Sequence, residues 1–321
     1  MTARYPILYR TVQALAVAAV LLSIALPGVV LQAQLLLAVG MILFIGIPHG
    51  ATDYLIFQSL SRPMWGSREM TQFYFNYVLL MAAYALLWWL MPAVALSIFI
   101  AISIYHFGQS NWNYVTFRSK WSAYAAYMLW GSFVLLTPII WHYGSAIPII
   151  ESIIGTAMPE IAKPWREAFC ISLFVANLWL TLYYFLQQHI NRRAFMDEVV
   201  NLFVLALLLI NVPLLLAFTI YFVCWHSLSS MMDQIRFFRK QRSAYSLRDY
   251  MKNALPLSVV AIASLGVFAF AQAKMQLPVN IGLVFVFISV VTLPHMLLID
   301  RLYQEEEEHP MGVEPALVAK N

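Results

Sequence analysis

The sequence predicts an all-α fold: a polytopic membrane bundle of about ten transmembrane helices with both termini cytoplasmic. Three observations carry this prediction. The 321 residues are 62% hydrophobic and 11% charged, with a mean hydropathy of +0.75, whereas a soluble domain carries about a quarter charged residues. The apolar residues form continuous runs long enough for helices, not the alternating segments of a barrel strand. Basic residues gather in alternate connections. A bilayer admits only helices or closed barrels, because no water is present to satisfy a free backbone group.

In chain order, hydropathy places spans at 10–30, 33–58, 71–91, 93–116, 122–141, 167–188, 197–211, 213–235, 254–272 and 279–301. Asn211-Val212-Pro213 breaks the short seventh span from the eighth, because proline cannot continue a helix hydrogen-bond ladder. Residues 145–165 are only moderately apolar and contain Pro148, Gly155, Pro159 and Pro164, so they read as an interfacial or re-entrant segment. With the N-terminus inside, 16 of the 19 basic residues fall on the cytoplasmic side. Only Lys163, Arg166 and Lys274 fall outside, as the positive-inside rule requires. This reading gives one transmembrane domain over 1–303, with a buried metal site, and a disordered acidic cytoplasmic tail over 304–321 that begins around Glu305–Glu308. The protein is expected in the cell inner (plasma) membrane.

Other classes are disfavoured. The net charge of +4 is small and confined to loops, which argues against nucleic acid. Cys170 and Cys224 both lie in spans and read as small buried hydrophobes, not a disulfide framework. The first apolar run is too long for a signal-peptide core and reads as a retained span. Tyr5, Tyr9, Trp65, Trp88, Trp89, Trp112, Trp121, Trp141 and Trp165 sit near span ends, as interface anchors do.

The functional signal is in the histidines. His142, His189 and His309 fall in connections or the tail, where water solvates them. His49, His106, His226 and His295 fall in spans two, four, eight and ten. All even-numbered spans run in the same direction. At ~1.5 Å per residue, the four lie roughly 9–15 Å below the cytoplasmic boundary. A lone membrane histidine commonly bonds a neighbouring carbonyl or hydroxyl. Four at one depth, on four helices, point to a shared metal. Pro48 and Pro294 precede two of them, and Gly46, Gly50 and Gly108 permit close approach. Asp53, one turn after His49, is placed to bond the far nitrogen of a ligating histidine. Ser230 and Asn111 are candidates for similar supporting roles, as are Ser227 and Asp233.

All-imidazole ligation suits Fe, Zn, Cu or Ni. No His-Glu-x-x-His motif is present, which disfavours a zincin-type protease, and no acidic cluster suggests a di-iron oxidase. A four-histidine site with open positions is compatible with ferrous iron that activates dioxygen. Aromatic and Met residues around spans three, four and eight can line a cleft that a bilayer-dissolved substrate enters sideways. Two alternatives stand beside this: a haem-binding electron carrier, and a non-catalytic transport or rhodopsin-associated protein.

Gly46-Ile47-Pro48-His49-Gly50-Ala51-Thr52-Asp53, Tyr105-His106-Phe107-Gly108, Trp225-His226-Ser227 and Leu293-Pro294-His295-Met296 together resemble the Brp/Blh family of membrane β-carotene 15,15′-dioxygenases, over about residues 40–300. The resemblance implies cleavage of the central double bond of β-carotene by O2 to give retinal, which a microbial rhodopsin then takes up. It implies Fe(II) as cofactor, with His49, His106 and His226 as ligands and His295 matching a further family histidine. The pattern is broken in two places. The family usually has a second histidine where this chain has Ser230, which leaves His295 as the natural fourth ligand or leaves a three-histidine site. The family often has an acidic residue where this chain has Gln109-Ser110-Asn111.

Overall fold

The computed structural model of the chain describes residues 6–60, 67–241, 244–274 and 281–308. Every regular element among them is a helix, and ten helices are long and apolar enough to cross a membrane. All ten predicted spans are present, so this is a multi-pass membrane protein.

α1 (Pro6–Ala25) and α2 (Pro27–Met41) meet at Leu26, earlier than the expected break after residue 30. Leu26 leaves the helical region (φ −135°, ψ 55°) because the Pro27 ring crowds the residue before it. The same device separates α5 (Ser67–Leu90) from α6 (Pro92–Trp112), at Met91. The second span is interrupted. After α2 come a π-helical segment (Ile42–Gly46), α3 (Ile47–Gly50), a turn at Ala51-Thr52 and α4 (Asp53–Leu60).

α7 (Lys120–Trp141) leads into α8 (Tyr143–Ile154), which occupies part of the expected interfacial segment. Its 12 residues are too few to span. It stops at Gly155, whose φ of 71° is the left-handed conformation that favours glycine. α9 (Lys163–Leu186) is followed by α10 (Arg192–Asn211), whose first turn is capped by the Asn191 side chain on the Ala194 N–H. α10 starts five residues earlier than predicted, and Glu198 is buried within it. After the Val212-Pro213 turn, the eighth span is built from α11 (Leu214–Ile220), a second π-helical segment (Tyr221–Ser227) and α12 (Leu228–Gln241). α13 (Leu247–Lys274) and α14 (Ile281–Glu308) complete the fold. α14 continues past residue 303 to Glu308, and the rest of the expected tail lies outside the described residues.

The eighth span is central: 67% of its most apolar stretch is buried, against 11% for the second, third and ninth. α6 and α7 approach more closely than side chains would allow. A Cβ on Gly108 would run into the Tyr127 carbonyl, and one on Gly131 into the Ile104 carbonyl. Small residues at crossings of this kind let membrane helices gain dispersion contacts that lipid cannot match.

The aromatic prediction is corrected in part. Trp89, Trp121 and Trp165 are exposed, as anchors should be, but Tyr9, Trp88 and Trp112 are core residues. Trp112 packs edge-on against Trp130 and Tyr184. Tyr5 and Trp65 lie outside the described residues. Cys170 and Cys224 are buried free thiols.

Candidate metal centre

The four span histidines converge. His49 comes from α3, His106 from α6, His226 from the second π segment and His295 from α14. Their rings form a closed circuit. Centroids are 5.3 Å apart for His49–His226, 4.8 Å for His226–His106, 5.9 Å for His106–His295 and 5.0 Å for His295–His49. All four are 3–4% exposed. Among the described residues no three His, Cys, Asp or Glu side chains are placed to hold a metal ion together, so the quartet is a convergence of rings and not a formed coordination sphere.

Local backbone structure delivers these rings. Both π segments touch the quartet: one ends three residues before His49, and the other contains His226. A π-bulge adds a residue to a turn and redirects the side chains after it. Neither segment carries a composition that would mark it in the sequence. The His49 Nδ1–H donates to the Gly46 carbonyl, leaving Nε2 for a ligand. The turn at Ala51-Thr52 leaves carbonyls in the membrane interior that must be paired. Gln234 Nε2 donates to the His49 carbonyl at 3.1 Å, and the Tyr250 hydroxyl lies 3.0 Å from the same oxygen. Thr52 Oγ1 donates to Gln234 Oε1 at 2.6 Å, tying the turn to α12.

Asp53 bonds a histidine of the site, as anticipated, but that histidine is His295: its Nδ1 lies 2.8 Å from Asp53 Oδ1. The Tyr77 hydroxyl donates to the other carboxylate oxygen at 2.9 Å. With Nδ1–H donating to a carboxylate, His295 presents a lone pair at Nε2, which has no partner. α14 is tied to α6 below the quartet, where Tyr105 and Gln109 donate to Asp300 Oδ1 at 3.1 and 2.8 Å. An acidic side chain at position 109 would meet the Asp300 carboxylate; the amide here bonds it.

Ser230 is buried four residues after His226, and Gln234 Nε2 donates to its hydroxyl at 3.2 Å as well as to the His49 carbonyl. It therefore belongs to the scaffold of the His49 turn. Asn111 is not brought to the quartet, since its amide lies beside buried Glu198, which accepts from Tyr114 at 2.9 Å. Asp233 accepts from Asn113, and the buried Ser227 hydroxyl has no partner. His142 is not simply solvated. It is half-buried and bonds the Leu209 carbonyl at 3.0 Å, and burial pulls its pKa below the ordinary histidine value. His189 packs edge-on against Tyr184, and His309 lies outside the described residues. Sequence reasoning missed Tyr77, Gln234, Tyr250 and Asp300. Each is a polar residue in or beside an apolar run, which is the signal that exposed the histidines.

The donor set fits a transition metal. His106 Nδ1 and Nε2, His226 Nδ1 and His295 Nε2 are all buried without a hydrogen-bond partner. Unpaired buried polar atoms are costly, and in a membrane no water is at hand to satisfy them. Several orphaned imidazole nitrogens on neighbouring rings are what a metal of imidazole preference would relieve.

Comparison with known proteins gives a consistent picture. The family profile described as "Beta-carotene 15,15'-dioxygenase" matches residues 40–303. The chain is 28% identical over 270 residues to the beta-carotene 15,15'-dioxygenase of an uncultured marine bacterium, covering 83% of this chain and 93% of that protein. It is 25% identical over 280 residues to the probable beta-carotene 15,15'-dioxygenase Blh of Halobacterium salinarum, covering 79% of this chain and 80% of that one. No solved structure matches.

Proposed function

Because the chain belongs to the beta-carotene 15,15'-dioxygenase family, we propose that it is a non-haem Fe(II) dioxygenase that cleaves β-carotene at its central 15,15′ double bond to give two molecules of retinal. The observation that carries the reading is the ring circuit of His49, His106, His226 and His295 with its orphaned nitrogens, buried at the centre of an apolar bundle.

With Nδ1 engaged by Gly46 and by Asp53, His49 and His295 would each have Nε2 left to hold the iron. His106 and His226 complete the set. Ferrous iron held there supplies activation of dioxygen. The overall reaction breaks one carbon–carbon double bond and places one oxygen atom on each carbon. It needs no added proton and no external electron donor. The site matches that economy: its carboxylate, Asp53, is fully engaged by His295 and Tyr77, so it orients a ligand and is not free to act as an acid or base. Phe107 and Phe222 pack directly on His226 and give it an apolar surround. A dry site strengthens every electrostatic contact inside it. The residues position, insulate and tune, and the cofactor carries the hard chemistry.

Crowding in the circuit works against a haem. If two opposed rings were axial ligands, the other two would stand where the macrocycle must lie. The substrate reaches the site from the bilayer, and retinal returns there, available to a microbial rhodopsin in the same inner (plasma) membrane. The test is conversion of β-carotene by purified, iron-loaded protein in detergent or lipid. Retinal should accumulate as carotene disappears, with oxygen consumed. If β-carotene and related carotenoids stay intact, the reading fails.

A further inference from the structure

Phe218, Phe222 and His226 lie four residues apart, so they stack on one face of the eighth span. Their rings are nearly parallel. Phe218 and Phe222 are 6.1 Å apart and inclined by 15°, and Phe222 and His226 are 5.6 Å apart and inclined by 23°. The row leaves the metal centre along the helix and reaches about 12 Å from His226 at 1.5 Å per residue. Exposure singles out the same two residues. From 216 to 227 every residue is buried except Phe218 and Phe222, which keep partial exposure. Phe218 and Phe222 thus pack on the core while keeping one side of this stretch of the eighth span partly uncovered, and the row ends on a buried member of the quartet.

The strip is braced from both sides. Phe107 on α6 packs 6.2 Å from Phe218, 6.3 Å from Phe222 and 4.9 Å from His226. On the other side Gly46 gives Phe222 its room, since a Cβ there would lie 3.1 Å from Cε1 of the ring. Phenyl rings have few rotatable bonds, so a braced row of them offers apolar contact area at small entropic cost. A conjugated polyene is the matching shape: long, stiff, flat and wholly apolar.

We propose that Phe218 and Phe222 form the seat for one arm of the substrate polyene, running from the cleaved bond at the metal outward along the eighth span. The proposal rests on the carotenoid reading and adds the residues that fix the register of the chain over the metal. Phe222, beside the metal, sets the position of the bonds next to the cleaved one. Phe218 holds the arm farther out and touches none of the four histidines in its ring contacts.

Binding separates the seat from the chemistry. Metal-loaded wild type, Phe218→Ala and Phe218→Leu are titrated with β-carotene without oxygen, and the induced circular dichroism of the bound polyene is read. Metal content is measured on the same samples. Removing one apolar contact group from a pocket changes recognition by roughly 10–200-fold. Phe218→Ala should raise the Kd about tenfold, and Phe218→Leu less, with metal content unchanged. With oxygen, the same variants should raise KM more than they lower kcat. Equal Kd values for wild type and Phe218→Leu, with metal retained in both, would overturn the seat while leaving the carotenoid reading intact. A wild type that neither binds nor cleaves β-carotene would overturn that reading and the seat with it. If Phe218→Ala does not fold, Phe218→Leu decides alone.

Discussion

The four histidines form two pairs that are held in different ways. His49 and His295 each follow a proline, and each has its Nδ1 fixed by a hydrogen bond, to the Gly46 carbonyl and to Asp53. His106 and His226 have orphaned nitrogens and are held by packing, through Phe107, Phe222 and the close α6–α7 contact. The first pair has its rings oriented by hydrogen bonds, and the second pair has only packing to orient it. On the proposed iron reading, the site would be half preorganised by hydrogen bonds and half by helix placement. Variants should separate the two halves.

The largest effect should come from the unsatisfied pair. His106→Ala or His226→Ala should abolish stoichiometric metal and product formation together, read by elemental analysis and by retinal formation. Retained metal at wild-type stoichiometry would remove that residue from the ligand set. Next comes helix placement. Gly108→Ala forces a methyl into the Tyr127 carbonyl and must separate α6 from α7. It should lower both folded yield and metal content, although residue 108 itself bears no ligand. Gly28→Ala and Gly40→Ala, where a Cβ meets nothing, are the matched controls and should leave both unchanged.

A smaller effect is expected from the hydrogen-bonded pair. Asp53→Asn leaves His295 in place but removes its charged partner, and loss of such a partner typically costs 10–100-fold in metal affinity. A competition titration with a chelator reads this directly; unchanged affinity would mean that packing, not Asp53, orients His295. The smallest effect belongs to the scaffold of the broken turn. Tyr250→Phe removes a hydroxyl from the His49 carbonyl, which keeps Gln234. It should cost about 1 kcal/mol or less of stability and little metal. Gln234→Ala removes the link between Thr52, Ser230 and His49 and should cost more, so a smaller loss than that of Tyr250→Phe would revise the role given to Gln234.

Much of this was legible in the sequence, because membrane insertion leaves a strong trace. Ten apolar runs gave ten spans, since each must be long enough to cross and can contain few charges. The histidines showed themselves as titratable residues where they are costly, and the turn at Ala51-Thr52 sits in a motif already singled out for its glycines. Other features depended on packing that no local pattern records. The π segments at Ile42–Gly46 and Tyr221–Ser227 have no composition of their own. Asp53 lies one turn from His49, but its partner comes from a helix 242 residues away in sequence. Trp88 and Trp112 sit at span ends like anchors, yet neighbouring helices bury them. Ser230 breaks a family pattern on paper, and in the fold it supports the carbonyl of His49 through Gln234.

The central claim is that these four imidazoles hold one iron. It is tested most directly by elemental analysis of the purified, untreated protein together with its visible spectrum. A single non-haem iron per chain is expected, lost in His106→Ala, with no Soret band. Protein that is active on β-carotene yet free of stoichiometric metal, or protein with a Soret band, would contradict it.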